Sequence, residues 1–206
     1  MTAIETEVKF RVRDAADIER RLQAAGFRQQ TPRTFERNIL YDTPERRLRL
    51  ERQILRIREY GDKWVLTHKA LPVEGDTGPY KHRVETETTL SDGTTVATIF
   101  ASLGFLPAFT YEKWRTEWAD ETGHCVLDET PLGTYAEIEG PEDWINRTAA
   151  VLGVDSSEFI GLSYGRLFEL WKEESGSSAT DLTFAAVEKG EQWFPQPGAL
   201  ATSIRQ

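Results

Sequence analysis

The chain has 206 residues, a formal net charge of −9 and an isoelectric point near 5.0. An acidic chain lacks the broad basic surface that binds nucleic acid, so no nucleic-acid partner is expected, although a local basic cluster could still hold a small anion. Cys125 is the only cysteine, which excludes an intramolecular disulfide and a thiolate zinc cluster. Because there is no secretory signal and no apolar run long enough to span a bilayer, we expect a cytoplasmic protein without a membrane partner.

The first half of the chain predicts strands separated by one helix and short turns. Asp14 is a good N-cap and Gly26 a good stop for the first helix. Gly61-Asp62 is typical of a tight hairpin turn. The predicted elements are a strand over 3–12, a helix over 15–25, a strand over 35–42, a turn or helical piece over 45–50, a hairpin of strands 53–60 and 63–70, a loop over 71–79 and a strand over 80–90.

The second half repeats this order. It predicts a helix over 93–103, strands over 108–119, 124–129 and 134–140, and helices over 141–152 and 163–173. Eight strands joined by mostly short connections favour an antiparallel sheet with helices added, an α+β fold. Ser175-Gly176-Ser177-Ser178 reads as a flexible linker. We therefore expect one domain over 1–174 and a linker with an accessory tail over 175–206.

An internal repeat relates the two halves. Glu5-Thr6-Glu7 recurs as Glu85-Thr86-Glu87, and Phe35-Glu36-Arg37 is matched by Tyr111-Glu112-Lys113. Two related halves of four strands each suggest a pseudo-symmetric closed sheet, because closure removes the exposed edges.

Charged residues alternate along most of the predicted strands, and alternate residues of a strand share one face. If the helices pack outside a closed sheet, the apolar faces point outward and the charges line a lumen. Acids and bases of a lumen must pair or bind ligands, and divalent cations with phosphates would satisfy both. These charged residues are Glu5, Glu7, Lys9, Arg37, Arg56, Arg58, Lys69, Arg83, Glu85, Glu87, Lys113, Arg115, Glu117, Asp128, Glu137 and Glu139.

Glu5-x-Glu7-x-Lys9 resembles the signature of the CYTH, or triphosphate tunnel metalloenzyme, superfamily. The resemblance extends in order from residue 4 to about 171. It includes Arg37 before Tyr41-Asp42-Thr43, Leu55-Arg56-Ile57-Arg58, Leu66-Thr67-His68-Lys69, Arg83-x-Glu85-x-Glu87, Lys113-x-Arg115, Leu127-Asp128, Leu132-Gly133, Glu137-x-Glu139 and Ser163-Tyr164.

The resemblance implies an eight-stranded antiparallel tunnel that binds a triphosphate with Mg²⁺ or Mn²⁺. It implies metal ligands at Glu5, Glu7, Glu137 and Glu139, with Asp128, Glu85 and Glu87 as additional ones. It implies phosphate binding by Lys9, Arg37, Arg56, Arg58, Lys69, Arg83, Lys113 and Arg115. Lys9 or Tyr41 would take part in proton transfer, and Glu7 would be a catalytic carboxylate.

Three functions remain open at this point. The first is a metal-dependent triphosphatase acting on inorganic triphosphate or a small organic triphosphate such as thiamine triphosphate. The second is a class IV adenylate cyclase, in which the same cations would hold ATP while the ribose 3′-oxygen attacks the α-phosphorus. The third is a protein that binds polyphosphate or nucleotide without catalysis. The architecture is also compatible with a homodimer.

Overall fold

A computed structural model describes residues 2–71, 81–187 and 193, with side-chain contacts from residue 6 onward and, after the gap, from residue 82. Eight strands lie in these ranges and close into one antiparallel barrel in the order β1-β5-β4-β3-β2-β6-β7-β8. They are β1 (Thr2–Arg11), β2 (Arg28–Asp42), β3 (Ile54–Tyr60), β4 (Lys63–Ala70), β5 (Lys81–Leu90), β6 (Leu106–Ala119), β7 (His124–Thr130) and β8 (Gly133–Glu139). The predicted α+β fold with a closed sheet is confirmed.

The strand order shows the pseudo-symmetry that the repeat predicts. Exchanging β1 with β5, β2 with β6, β3 with β7 and β4 with β8 reproduces the same cyclic order. The register of β2 and β6 departs from the alignment of the repeats, because Glu36 pairs with Lys113 and Arg37 with Glu112. The aligned residues Arg37 and Lys113 therefore lie on opposite faces of the sheet, and the two halves share their strand order but not every register.

The helices lie outside the barrel. They are α1 (Ala15–Ala24), α2 (Arg47–Leu50), α3 (Gly93–Ser102), α4 (Glu142–Leu152) and α5 (Tyr164–Ser175), with a short 3₁₀ turn at Ser156–Glu158. The equivalent helices α1 and α3 begin alike, since Asp14 and Asp92 each accept a hydrogen bond from a first-turn backbone N–H. Ser163 caps α5 in the same way. No helix in the described ranges is long and apolar enough to cross a membrane.

One hydrophobic cluster holds α1 and α4 against the outer barrel face, and a second packs α5 against Phe109 and Tyr111, which line the cavity. Val8 and Phe10 of β1 pack with Leu22 of α1 and Ile145 of α4 in the first cluster. The second gathers α5 around Leu167. Burial of each such side chain contributes about 1.5–3 kcal/mol. Because the apolar side chains of these strands point out of the barrel, the residues that alternate with them must point into the lumen.

The segment after α5 returns to the barrel. Gly176 ends the helix in the left-handed conformation (φ +68°), so Ser175 belongs to α5 and not to a linker. Leu182 is fully buried and bridges Tyr111 of β6 in parallel, with backbone hydrogen bonds of 2.9 Å to Thr110 and from Glu112. Residues 72–79 of the loop predicted over 71–79, and most of the tail after 187, lie outside the described residues. That the tail is an accessory segment stays a prediction.

Candidate functional site

A cavity of about 610 Å³ occupies the barrel lumen and opens beside the start of α5. Its wall is formed by lumen-facing side chains of all eight strands, by residues 161–166, and by Arg49 and Glu169. The cationic side chains of the strands that line it are Lys9, Arg56, Arg58, Lys69, Arg83, Lys113 and Arg115, and the carboxylates of the strands are Glu7, Glu137 and Glu139. Cations thus outnumber carboxylates on the strand wall, which favours an anionic ligand.

A fully buried carboxylate organises the cations on one side of this cavity. Asp128 of β7 accepts hydrogen bonds of 2.7 Å from Arg115 at both of its oxygens and one of 2.8 Å from Lys113. Tyr164 adds a hydrogen bond of 2.8 Å to Oδ2. Burial and the nearby Asp128 raise the pKa of the Tyr164 hydroxyl well above its ordinary value, so Tyr164 stays a hydrogen-bond donor.

A second buried carboxylate, Glu36 of β2, lies behind the same cations. Its oxygens are 3.4 Å from Lys113 Nζ, 3.6 Å from Arg58 Nε and 3.8 Å from Arg115 Nε. Burial alone would raise the pKa of Glu36, but these three cations hold it well below its ordinary value. Glu36 is therefore ionised and holds the cations in place.

Lys9 faces the cavity from β1 and is almost completely buried. Its ammonium group forms an ion pair of 3.0 Å with Glu137, donates a 3.1 Å hydrogen bond to the carbonyl oxygen of Leu162 and lies 4.2 Å from the centre of the Tyr164 ring. Burial alone would lower the pKa of Lys9, but Glu137 and Glu7 raise it above its ordinary value. Lys9 therefore remains a cation at neutral pH, and in this environment it is a poor general base.

The opposite wall carries a second ion-pair network. The buried guanidinium group of Arg56 donates hydrogen bonds of 3.1 Å to Tyr111 and to Thr67. Lys69 forms a 2.8 Å ion pair with Glu85, and Thr67 donates to Glu87 at 2.8 Å. Glu85 and Glu87 are therefore partners of the β3 and β4 side chains and do not line the cavity.

Glu7 and Glu139 are the carboxylates best placed to hold a metal. They are direct partners in the β1–β8 pairing, and both line the cavity. Within the described residues, no three His, Cys, Asp or Glu side chains form a group that could bind a metal ion by itself. Mg²⁺ is commonly bound through one or two carboxylates together with substrate phosphates and water. The donor set therefore fits a divalent ion that arrives with a phosphate chain.

The structure places the other predicted metal ligands differently. Glu137 lines the cavity but pairs with Lys9 and, at 2.8 Å, with Arg115. Asp128, expected as an additional ligand, is instead enclosed by its cations and Tyr164 and has no exposed surface. The side chain of Glu5 lies outside the described part of the chain.

Two predicted site residues are not in the lumen. Arg37 lies on the outer face of β2 and is exposed to solvent. Tyr41 lies on the same outer face, where its ring packs edge-on against Phe100 of α3 with 5.1 Å between the two ring centres. The expectation that these two line the tunnel is corrected, because both lie on the face of β2 opposite to Leu40, which lines the cavity.

Sequence reasoning gave no role to Glu36 or Asn38, which take the lumen positions of β2. The sequence does contain the information needed to place them. Phe35, Ile39 and Tyr41 are apolar and odd-numbered, which assigns the odd-numbered residues of β2 to the outer face and the even-numbered ones to the lumen. It also missed the surface link in which Arg49 of α2 forms a 2.6 Å ion pair with Glu169 of α5 beside the cavity. Because α2 and α5 are far apart in the sequence, only the fold brings Arg49 and Glu169 together.

The family model of the CYTH domain matches residues 3–146, more than half of the chain. The protein therefore belongs to the CYTH domain family. A comparison with curated proteins finds no match.

Solved structures share the fold. A candidate adenylate cyclase from Vibrio parahaemolyticus is 18% identical, with a TM-score of 0.70 over 81% of this chain and 98% of its own. A protein from Pyrococcus horikoshii OT3 is 22% identical, with a TM-score of 0.66 over 79% of this chain and 98% of its own. The Hippeastrum protein HpAC1 is a candidate adenylyl cyclase described as having a dominant triphosphatase activity. It is 20% identical, with a TM-score of 0.60 over 80% of this chain and 95% of its own. Identities this low establish a common fold and not a common reaction.

Proposed function

We propose that this protein is a divalent-metal-dependent triphosphatase that hydrolyses inorganic triphosphate or a small organic triphosphate inside the barrel. The observation that carries the proposal is the composition of the cavity wall, where seven Lys and Arg side chains of the strands line the same cavity as Glu7 and Glu139. A triphosphate carries several negative charges and many acceptor oxygens, and Arg and Lys are the side chains that bind them.

The binding step is assigned to the cations. Arg56, Arg58 and Arg83 would donate to phosphate oxygens from β3 and β5, and Lys113 and Arg115 would do so from β6. Arg58, Lys113 and Arg115 are already held by Glu36, Asp128 and Glu137, so little reorganisation of these three cations accompanies binding.

The chemical step requires water to attack the terminal phosphorus in line with the bridging oxygen. The new bond joins the water oxygen to phosphorus, the bond to the bridging oxygen breaks, and phosphate and diphosphate leave when the substrate is inorganic triphosphate. Glu7 would accept the proton of the water or hold a divalent cation together with Glu139 and Glu5. A bound Mg²⁺ or Mn²⁺ would neutralise phosphate charge and orient the chain. Lys9, fixed as a cation, would stabilise the negative charge on the transferred group.

One observation favours a second candidate, the adenylate cyclase. The cavity is not charged throughout, because Leu40, Ile54 and Phe109 form an apolar part of its wall next to Arg56. Such a surface could accept a base or another organic group attached to a triphosphate. In the cyclase reaction the ribose 3′-oxygen would attack the α-phosphorus, and diphosphate would leave.

Product analysis tests the two functions directly. The purified protein is incubated with inorganic triphosphate and with ATP, each with Mg²⁺ or Mn²⁺ and each with a chelator. We expect phosphate release from triphosphate that requires the divalent ion. Cyclic AMP with diphosphate from ATP would replace the hydrolase by the cyclase. Tight triphosphate binding without turnover under any condition would leave a binding protein.

A further inference from the structure

Glu36 is a buried carboxylate that the proposed reaction does not use. It has no solvent-accessible surface and does not line the cavity, yet it lies directly behind cations that do. Asn38, two residues further on the same face, donates a 2.8 Å hydrogen bond to Glu36 Oε1 and so holds the carboxylate in position.

The space between the three cations around Glu36 is larger than a carboxylate group fills. Its distances to Lys113, Arg58 and Arg115 are 3.4, 3.6 and 3.8 Å, whereas charge-assisted hydrogen bonds usually measure about 2.7–2.9 Å. Oε2 receives no hydrogen bond at all, although it is buried. Three cations thus surround an anion that reaches none of them closely. A tetrahedral phosphate group, with more oxygens and a larger radius, would reach them better.

We infer that the Glu36 side chain occupies an anion position suited to a phosphate group. This position lies at the inner end of the cations that line the tunnel, and the Glu36 carboxylate ends the row of phosphate positions at that point. Arg58, Lys113 and Arg115 contact Glu36 on one side and the cavity on the other. A phosphate chain entering the cavity would meet these cations and then the negative charge of Glu36, which limits how far it can penetrate. This inference rests on the proposed binding of a phosphate chain in the lumen.

The test replaces the carboxylate by empty space. Glu36→Ala leaves three cations around a vacated position, so the variant should be less stable than the wild type and inorganic phosphate should restore stability by taking that position. At phosphate concentrations about a hundredfold above its Kd, we expect the Tm of Glu36→Ala to rise by about 5–10 °C more than that of the wild type.

Two matched variants identify the cause. Glu36→Gln removes the charge but keeps the volume, so phosphate should not give it the additional rise in Tm. Glu129→Ala removes a carboxylate from the outer face of β7, where Glu129 pairs with the exposed Arg33, and should respond to phosphate as the wild type does. An equal phosphate response in Glu36→Ala and the wild type would overturn the inference, as would failure to obtain folded Glu36→Ala even in phosphate.

Chain length gives the second readout. In competition binding without turnover, the affinity for inorganic tetraphosphate relative to triphosphate should rise about tenfold in Glu36→Ala, since one more phosphate position is open. An unchanged ratio would refute the claim that Glu36 ends the row. Absence of triphosphate binding by the wild type would instead refute the proposed function, and the two failures are therefore distinct.

Discussion

The hydroxyl of Tyr164 donates a 2.8 Å hydrogen bond to Asp128 Oδ2, the carboxylate oxygen that Lys113 and Arg115 also contact. Tyr164 is the first residue of α5 and lies beyond residues 3–146, which the CYTH family model matches. The helix that follows the matched part therefore helps to position cations of the cavity, so the lumen depends on the later part of the chain as well.

Tyr164→Phe should lower stability and weaken substrate binding together. The change removes one hydrogen bond to a buried, charged acceptor, so we expect a loss of about 1.5–3 kcal/mol in the free energy of unfolding. Triphosphate KM should rise several-fold because Asp128 holds Lys113 and Arg115 less rigidly. Urea denaturation and steady-state kinetics measure both effects. Tyr41→Phe is the control, since Tyr41 lies outside the barrel, and it should keep wild-type turnover. Unchanged stability in Tyr164→Phe would contradict the role of this contact.

Arg58 and Arg37 form a matched pair for phosphate binding. Arg58 faces the cavity from β3, whereas Arg37 is exposed on the outer face of β2. Arg58→Ala should weaken triphosphate binding about tenfold or more, as expected for the loss of a charge-assisted contact. Arg37→Ala should leave the affinity unchanged. Isothermal titration with triphosphate distinguishes the two, and equal losses in both variants would show that the lumen assignment is incorrect.

Glu7→Gln should separate chemistry from binding. The substitution keeps the size of the side chain but removes the charge that would accept a proton or hold a divalent cation. We expect turnover to fall by at least about a hundredfold, while triphosphate affinity changes much less because the cations remain. Single-turnover phosphate release and equilibrium binding test this. Turnover close to that of the wild type would remove Glu7 from the reaction. Glu129→Gln, on the outer face, provides the control.

The depressed pKa of Glu36 predicts an acid-sensitive contribution to stability. The folded state keeps Glu36 ionised at a pH where an unfolded chain, with a Glu pKa of about 4.3, would protonate it. The contribution is complete above that pH and is lost as the pH falls through the folded pKa. Glu36→Gln should be about 3 kcal/mol less stable than the wild type at pH 7, and the gap should narrow below pH 4. Urea denaturation across pH 3.5–7 measures the gap, and a constant gap would count against this assignment.

Much of the architecture could be predicted from the residues. Period-two alternation places Val8 and Phe10 on one face of β1 and Glu7 and Lys9 on the other, and the structure shows this division. The repeat predicted the closure, because two equivalent four-stranded units can pair at both ends. The cap at Asp14 predicted where the first helix begins.

The prediction that Arg37 of β2 lines the lumen was wrong, and the alternation of side chains along the strand explains why. Arg37 was grouped with the site because it is basic, although Phe35, Ile39 and Tyr41 share its face. Consistent use of the alternation would have sent Arg37 outward and brought Glu36 into the lumen. Residue type alone does not define a face, whereas the neighbours two positions away do.

The sequence by itself determined which residues each strand offers to one face, since alternation is a property of the extended backbone. It also determined that an acidic chain with two related halves would form an antiparallel α+β barrel. Only the tertiary structure decided which cations share a carboxylate. Asp128 meets Lys113 and Arg115 across neighbouring strands and Tyr164 from a helix 36 residues later. Such contacts depend on strand register and helix docking, which arise when distant segments bury their apolar faces together.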